Sequence, residues 1–191
     1  MRYLVLATDY DGTLAHHGLV SEPTLAALER LKHSGRKLIL VTGRELEDLL
    51  RVFPQAGLFD RIVAENGALL YRPATGEEKT LGEPPPPAFV RRLRELGVGP
   101  LSTGRVIVAT WTPFETAVLE TIRELGLELQ VIFNKGAVMV LPSGVNKATG
   151  LAAALKELAL SPAVVVGIGD AENDHAFLQL CACAVAVENA L

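Results

Sequence analysis

Short apolar runs alternate with longer amphipathic stretches along most of this chain. That rhythm restricts the fold to the α/β class, a parallel sheet flanked by helices, because parallel strands need a crossover to lie side by side. The runs at 3–8, 37–41, 61–64, 163–167 and 183–187 read as strands, and the segments near 22–34, 45–53, 147–159 and 172–180 as helices. Local signals agree with the pattern. Ser21-Glu22-Pro23 opens the first helix, Gly35 stands at its C-terminal cap, and Ser161-Pro162 stops the helix that ends near Leu160.

Four consecutive prolines, Pro84 to Pro87, interrupt this rhythm. Beyond them the spacing predicts a helix over 86–97, a strand over 104–111, a helix over 113–125 and strands over 128–133 and 137–141. Asn134-Lys135-Gly136 suits a hairpin turn between the last two. The expected organisation is a core of residues 1–83 and 142–191, with a small α+β module inserted over 84–141.

Composition narrows the function. A net charge of −4 argues against a nucleic-acid or anionic-membrane surface. No apolar run approaches the roughly 20 residues that span a bilayer. The apolar N-terminal stretch reads as a strand, not a signal peptide. The only cysteines are Cys181 and Cys183, and no bridge is expected between them. Reduced thiols and a cytoplasmic location follow as the default.

Chemistry-bearing residues gather at strand ends and helix starts, where open α/β sheets bind ligands. Asp9 and Asp11 follow the first strand, and burying two carboxylates there implies a cation. Thr42-Gly43-Arg44 follows the second strand. Lys147 opens a helix behind Asn146, a suitable N-cap. Gly167-Ile168-Gly169-Asp170-Ala171-Glu172-Asn173-Asp174 places three acids and an amide after an apolar strand. Its Gly-x-Gly hints at a dinucleotide loop, but Glu172 stands where the third glycine belongs.

The ordered set Asp9-x-Asp11-Gly12-Thr13-Leu14, Thr42-Gly43-Arg44, Lys147 and Gly169-Asp170-x-x-Asn173-Asp174 resembles the haloacid dehalogenase-like hydrolase superfamily. The position of the insertion resembles its Cof-like phosphatases with a type C2 cap, a group that includes archaeal phosphoglycolate phosphatases and sucrose-phosphate phosphatases. Ala64-Glu65-Asn66-Gly67 is a further signature of that subgroup. The resemblance implies a Rossmann-like core and a phosphatase that works through an aspartyl-phosphate. Asp9 is then the nucleophile, and Asp11 the acid and base. Thr42, Gly43, Arg44, Lys147 and Asn173 are the expected substrate contacts.

A carboxylate meeting a phosphate dianion at ~4 Å faces a repulsion of about 8 kcal/mol at an effective dielectric of 20. The resemblance implies Mg²⁺ as the main relief, held by Asp9, the Asp11 carbonyl and Asp170, with Asp174 or Asn173 ligating or orienting nearby. The expected partner is a small phosphorylated metabolite, with neither nucleic acid nor membrane involved. A phosphomutase and a regulatory domain of a larger protein are the alternatives.

Trp111 reads as core filler or a substrate-stacking residue, and His16, His17 and His175 as solvated or local. Six Lys/Arg against six Glu over 83–141 leave the cap without net charge. Members of the family continue for a further helix and strand after the equivalent of 183–187, so the core is expected to be incomplete at its C-terminal end.

Overall fold

The computed structural model describes residues 2–190. The chain runs through β1 (Val5–Thr8), β2 (Ala15–His16), β3 (Leu19–Val20), α1 (Glu22–His33), β4 (Lys37–Val41), α2 (Leu46–Val52), β5 (Arg61–Ala64), β6 (Leu69–Arg72) and β7 (Glu77–Thr80). It continues through α3 (Pro87–Glu95), β8 (Ser102–Thr103), β9 (Val108–Trp111), α4 (Glu115–Glu124), β10 (Leu129–Asn134) and β11 (Ala137–Pro142). The last elements are α5 (Lys147–Glu157), β12 (Val165–Gly169), α6 (His175–Leu180) and β13 (Cys183–Ala186).

The main sheet has the order β13-β12-β1-β4-β5-β6-β7. Its first five strands are parallel, and β6 and β7 are antiparallel. The parallel part is the expected α/β sheet, covered on both faces as such sheets require. Leu38 and Leu40 of β4 pack with Tyr10, Phe53 and Phe59, next to Leu28 of α1 and Leu49 of α2. Ile39 and Val41, on the opposite face, pack with Leu151 of α5 and Phe177 of α6. The chain leaves β1 toward β4 on one side and returns to β12 on the other. That reversal opens a crevice at the C-terminal end of β1.

A second, antiparallel sheet of order β10-β11-β9-β8 carries α3 and α4 over a core of Phe89, Leu93, Val108, Val118, Val138 and Val140. Ala68, Val106, Ile107, Met139, Leu141 and Val145 form an apolar seam between the two sheets.

Several sequence expectations need correction. The β6–β7 extension was absent from the pattern because β7, Glu-Glu-Lys-Thr, is wholly exposed and has no apolar alternation. The two-residue pairing of β2 with β3 is too short to carry a period. The strand expected at 163–167 starts at Val165, since Pro162 begins a 3₁₀ turn in which the Ser161 hydroxyl accepts from the Ala163 amide. The expected helix at 172–180 divides into a 3₁₀ turn over Glu172–Asp174 and α6. The strand expected at 104–111 begins only at Val108 as β9, with β8 lying ahead of it, because the backbone over 105–107 turns its amides toward Glu65. The hairpin turn is two residues long, Lys135-Gly136, with Asn134 paired to Ala137.

Candidate active site

Parallel strands deliver their C-terminal ends to one side of the sheet. Asp9 leaves β1 there, Thr42 leaves β4 and Asp170 leaves β12. The N-terminus of α5 faces the same crevice, because Asn146 caps it by accepting from the amides of Ala148 and Thr149. Lys147 is therefore the first residue of a well-formed helix, and it points inward.

Its side chain is 2% exposed, with Nζ at 2.6 Å from Asp9 Oδ1 and 2.5 Å from Asp174 Oδ1. Burial alone would pull the Lys147 ammonium below its usual range, but Asp9 and Asp174 outweigh it and hold it above. Burial pushes the Asp9 carboxyl up to about 6, with Lys147 drawing it back and Asp174 adding to the rise. Lys147 covers one Asp9 oxygen. Asp9 lines the cavity, and its other oxygen has no side-chain donor among the described residues.

Asp174 is fully buried, and its Oδ2 accepts from the amides of Asp170 at 2.9 Å and Ala171 at 3.1 Å. It thus folds the 170–174 loop back on itself and anchors Lys147 from behind. Asp170 receives the Thr13 hydroxyl at 3.3 Å on Oδ1 and Lys135 Nζ at 2.6 Å on Oδ2. Asp9, Asp170 and Asp174 bring one oxygen each within 4.8 Å of one another. Three carboxylates against one buried ammonium leave two negative charges, and all the donors are hard oxygens. The set fits a divalent cation of the Mg²⁺ type.

Asp11 is placed differently from Asp9. Its carboxylate lies in a bidentate fork with Arg44, at 2.6 Å from Nε and 2.7 Å from Nη2. Arg44 also pairs with Asp48, and the hydrogen bonds to Asp11 raise its already high pKa. Arg44 thus makes a structural ion pair and also lines the cavity. Thr42 is buried behind the cavity wall, where its hydroxyl accepts from the Arg44 amide at 3.1 Å, whereas Gly43 lines the wall itself. Asn173 lines it too and donates to Asn66 Oδ1 at 3.0 Å.

The turn after β5 reaches further than its sequence suggests. Glu65 and Asn66 both hold a left-handed backbone, with φ of 51° and 53°. The Glu65 amide donates to the Arg44 carbonyl and the Asn66 amide to the Thr42 carbonyl. The buried Glu65 carboxylate then accepts three amides from the other sheet's connection: Arg105 and Val106 at 2.8 Å and Ile107 at 2.9 Å. Gly67 completes the turn against the Asn146 carbonyl, where any Cβ would collide. Sequence reasoning had Glu65 only as part of a signature. Two polar residues before a glycine, just past a buried strand, were the available hint.

The cavity above these groups has a volume of about 810 Å³. Its far wall is the second sheet, with apolar Ile107, Ala109, Ala137 and Met139, half-exposed Trp111, and polar Ser102 and Asn134. Trp111 is therefore a wall residue, not core filler. His175 meets Gln179 on the surface of α6.

A seven-stranded α/β core with Asp9, Lys147 and Asp170 converging at strand ends defines the class, and comparison with known proteins agrees. The profile of the haloacid dehalogenase-like hydrolase family matches residues 6–84 and 106–191, and the chain belongs to that family. Among its relatives is the phosphoglycolate phosphatase of Haloarcula marismortui, 31% identical over 97% of this chain and 84% of the relative. Phosphoglycolate phosphatase 2 of Saccharolobus solfataricus is 29% identical over 98% of this chain and 81% of its own length. A haloacid dehalogenase-like hydrolase from Bacteroides thetaiotaomicron shares the fold with a TM-score of 0.81 at 18% identity, covering 99% of this chain and 90% of its own. The sucrose-phosphatase of Synechocystis does so with a TM-score of 0.72 at 21% identity, covering 100% of this chain and 85% of its own.

Proposed function

We propose that this hydrolase is a Mg²⁺-dependent phosphomonoesterase of small metabolites, working through an aspartyl-phosphate on Asp9. One observation carries the reading: Asp9 is buried at a strand end on the lining of the cavity, with one oxygen held by Lys147. A carboxylate needs no base to act as nucleophile, but it needs positive charge around the incoming phosphate. Lys147 supplies part of it. Asp9, Asp170 and the Asp11 carbonyl would hold Mg²⁺, whose charge would supply the rest.

Asp9 attacks phosphorus with the oxygen that Lys147 does not hold, and an Asp11 carboxyl that has taken up a proton on leaving Arg44 gives it to the departing alkoxide. Asp11 then takes a proton from the water that cleaves the aspartyl-phosphate. Both steps require the Asp11 carboxylate to leave its fork with Arg44 and turn toward the cavity. Gly43 and Asn173 line the phosphate end, with Thr42 behind them.

Residues 84–141 serve as the cap domain over a core of 1–83 and 142–191, excluding water during transfer. Over 83–141 six Lys/Arg balance six Glu, and the wall mixes apolar and hydrogen-bonding groups. This suits a small polyhydroxy or hydroxy-acid monophosphate, such as phosphoglycolate or a hexose phosphate. The names of the relatives point the same way.

The test is phosphate release from a panel of sugar, polyol, hydroxy-acid and nucleotide monophosphates, with Mg²⁺ and with chelator. Asp9→Asn is expected to remove turnover in a folded protein, and Asp11→Asn to slow it at least a hundredfold. Undiminished turnover by Asp9→Asn would refute the mechanism.

A further inference from the structure

Among the described residues, Lys135 alone carries a charge from the second sheet to the buried acids. It sits at the tip of the β10–β11 hairpin, where Lys135 and Gly136 have φ of 48° and 87°. Such a turn favours Asn, Asp or Gly at its first position, so its geometry gives no reason for a lysine. The side chain crosses the cavity to Asp170, whose carboxylate is 1% exposed, and places Nζ 2.6 Å from Oδ2. A Cβ at Gly12 would collide with that same oxygen and lie 3.0 Å from Lys135 Nζ. The ammonium therefore rests against the loop bearing Asp9 and Asp11. Thr13 already takes the other Asp170 oxygen. Lys135 covers the one left for a cation.

We propose that Lys135 is a cap-borne counter-ion of the metal site, holding Asp170 while the divalent ion is absent and displaced from it when the ion binds. The inference rests on Asp9 and Asp170 as metal-holding residues. An ammonium and a divalent ion repel each other at one carboxylate oxygen, and the ion's double charge wins there. Displacement moves the tip of the hairpin, so metal binding is coupled to the position of the cavity's far wall. The freed ammonium then faces the cavity, where the substrate phosphate is an available anion. Lys135 is thus a positioning residue that links metal occupancy to the cap.

The chain carries its own reporter. Trp111 is the sole tryptophan, Ala137 pairs with it across the sheet, and its ring lies 3.9 Å from where a Gly136 Cβ would stand. The experiment titrates Mg²⁺ into the metal-free parent, Lys135→Met and Lys135→Arg, with calorimetry for affinity and Trp111 emission for the hairpin. Lys135→Met should bind Mg²⁺ about fivefold more tightly, the worth of a half-exposed ion pair. Lys135→Arg should keep the parent's affinity. Mg²⁺ should change Trp111 emission in the parent and leave it unchanged in Lys135→Met. Equal affinity of parent and Lys135→Met overturns the inference, as does parent emission that Mg²⁺ leaves unchanged. A parent that binds no Mg²⁺ brings down the metal reading of the proposed function and this inference with it.

Discussion

Lys147 stands buried between Asp9 and Asp174, and that setting makes it a folding residue as well as a proposed catalytic one. Removing one partner from a buried ion pair strands the other charge, which typically costs about 3–5 kcal/mol. Lys147→Met is expected to lose that much in urea unfolding of the metal-free protein, since two carboxylates lose their ammonium together. Added Mg²⁺ should return part of the loss, because its charge serves the same oxygens. Loss of stability below 1 kcal/mol would mean the site rearranges around the gap. Asp11 shows the opposite case. Its side chain is 46% exposed, its charge is met by Arg44, and it is placed to move.

At the scale of elements, the turn after β5 joins parts of the molecule that the chain keeps far apart. Glu65 orders the turn after β4 through the Arg44 carbonyl and the second sheet through three amides. Hydrogen bonds to a charged group are worth roughly 1.5–3 kcal/mol each, and buried amides left without acceptors are costly. Glu65→Ala is expected to cost about 3 kcal/mol and to speed amide exchange at 105–107, with α1 and β4 unaffected. Hydrogen-exchange mass spectrometry reads this directly. Uniform acceleration over the whole chain would contradict the coupling assigned to this turn.

Between α6 and β13, burial pushes the Cys181 thiol up to about 11, and its Sγ donates to the Phe177 carbonyl at 3.2 Å. The neutral thiol is the favoured form. Its stabilising contribution is complete below the unfolded thiol range and is lost as pH rises through about 11. Alkylation of Cys181 should be slow at pH 8, where roughly one molecule in a thousand carries the thiolate, and should accelerate up to pH 11.

The two sheets flank a half-open cavity of about 810 Å³, one bringing the acids and the other its far wall. Under the proposed function, phosphate esters small enough to fit between the two sheets are favoured, since a phosphopeptide or nucleic acid would hold the walls apart. The expected kcat/KM for the best sugar or hydroxy-acid phosphate exceeds that for any nucleotide or phosphopeptide by at least tenfold. The reverse order in kinetic profiling would sink the small-substrate reading. Chelation should abolish phosphate release, and Mg²⁺ at neutral pH should raise the melting temperature, as expected where three carboxylates face one buried lysine. Among the described residues no helix is long and apolar enough to cross a membrane.

The sequence by itself determined the elements whose causes are local. The strands at 37–41 and 61–64 coincide with β4 and β5, because an apolar run between turn signals states both its period and its ends. The Asn146 cap of α5 was equally legible, as was the gathering of Asp9, Lys147 and Asp170 at strand and helix ends, where parallel topology alone brings them to one side. Tertiary structure decided the partnerships. Lys147 meets Asp9 across 138 positions, Lys135 meets Asp170 across 35, and Glu65 receives amides from a segment about 40 residues on. A lysine at a hairpin tip and an acid in a turn look like solvated charges in a sequence. What distinguishes them is a buried acid, Asp170 beneath Lys135 and Glu65 itself, and that burial arises only when distant segments close over it.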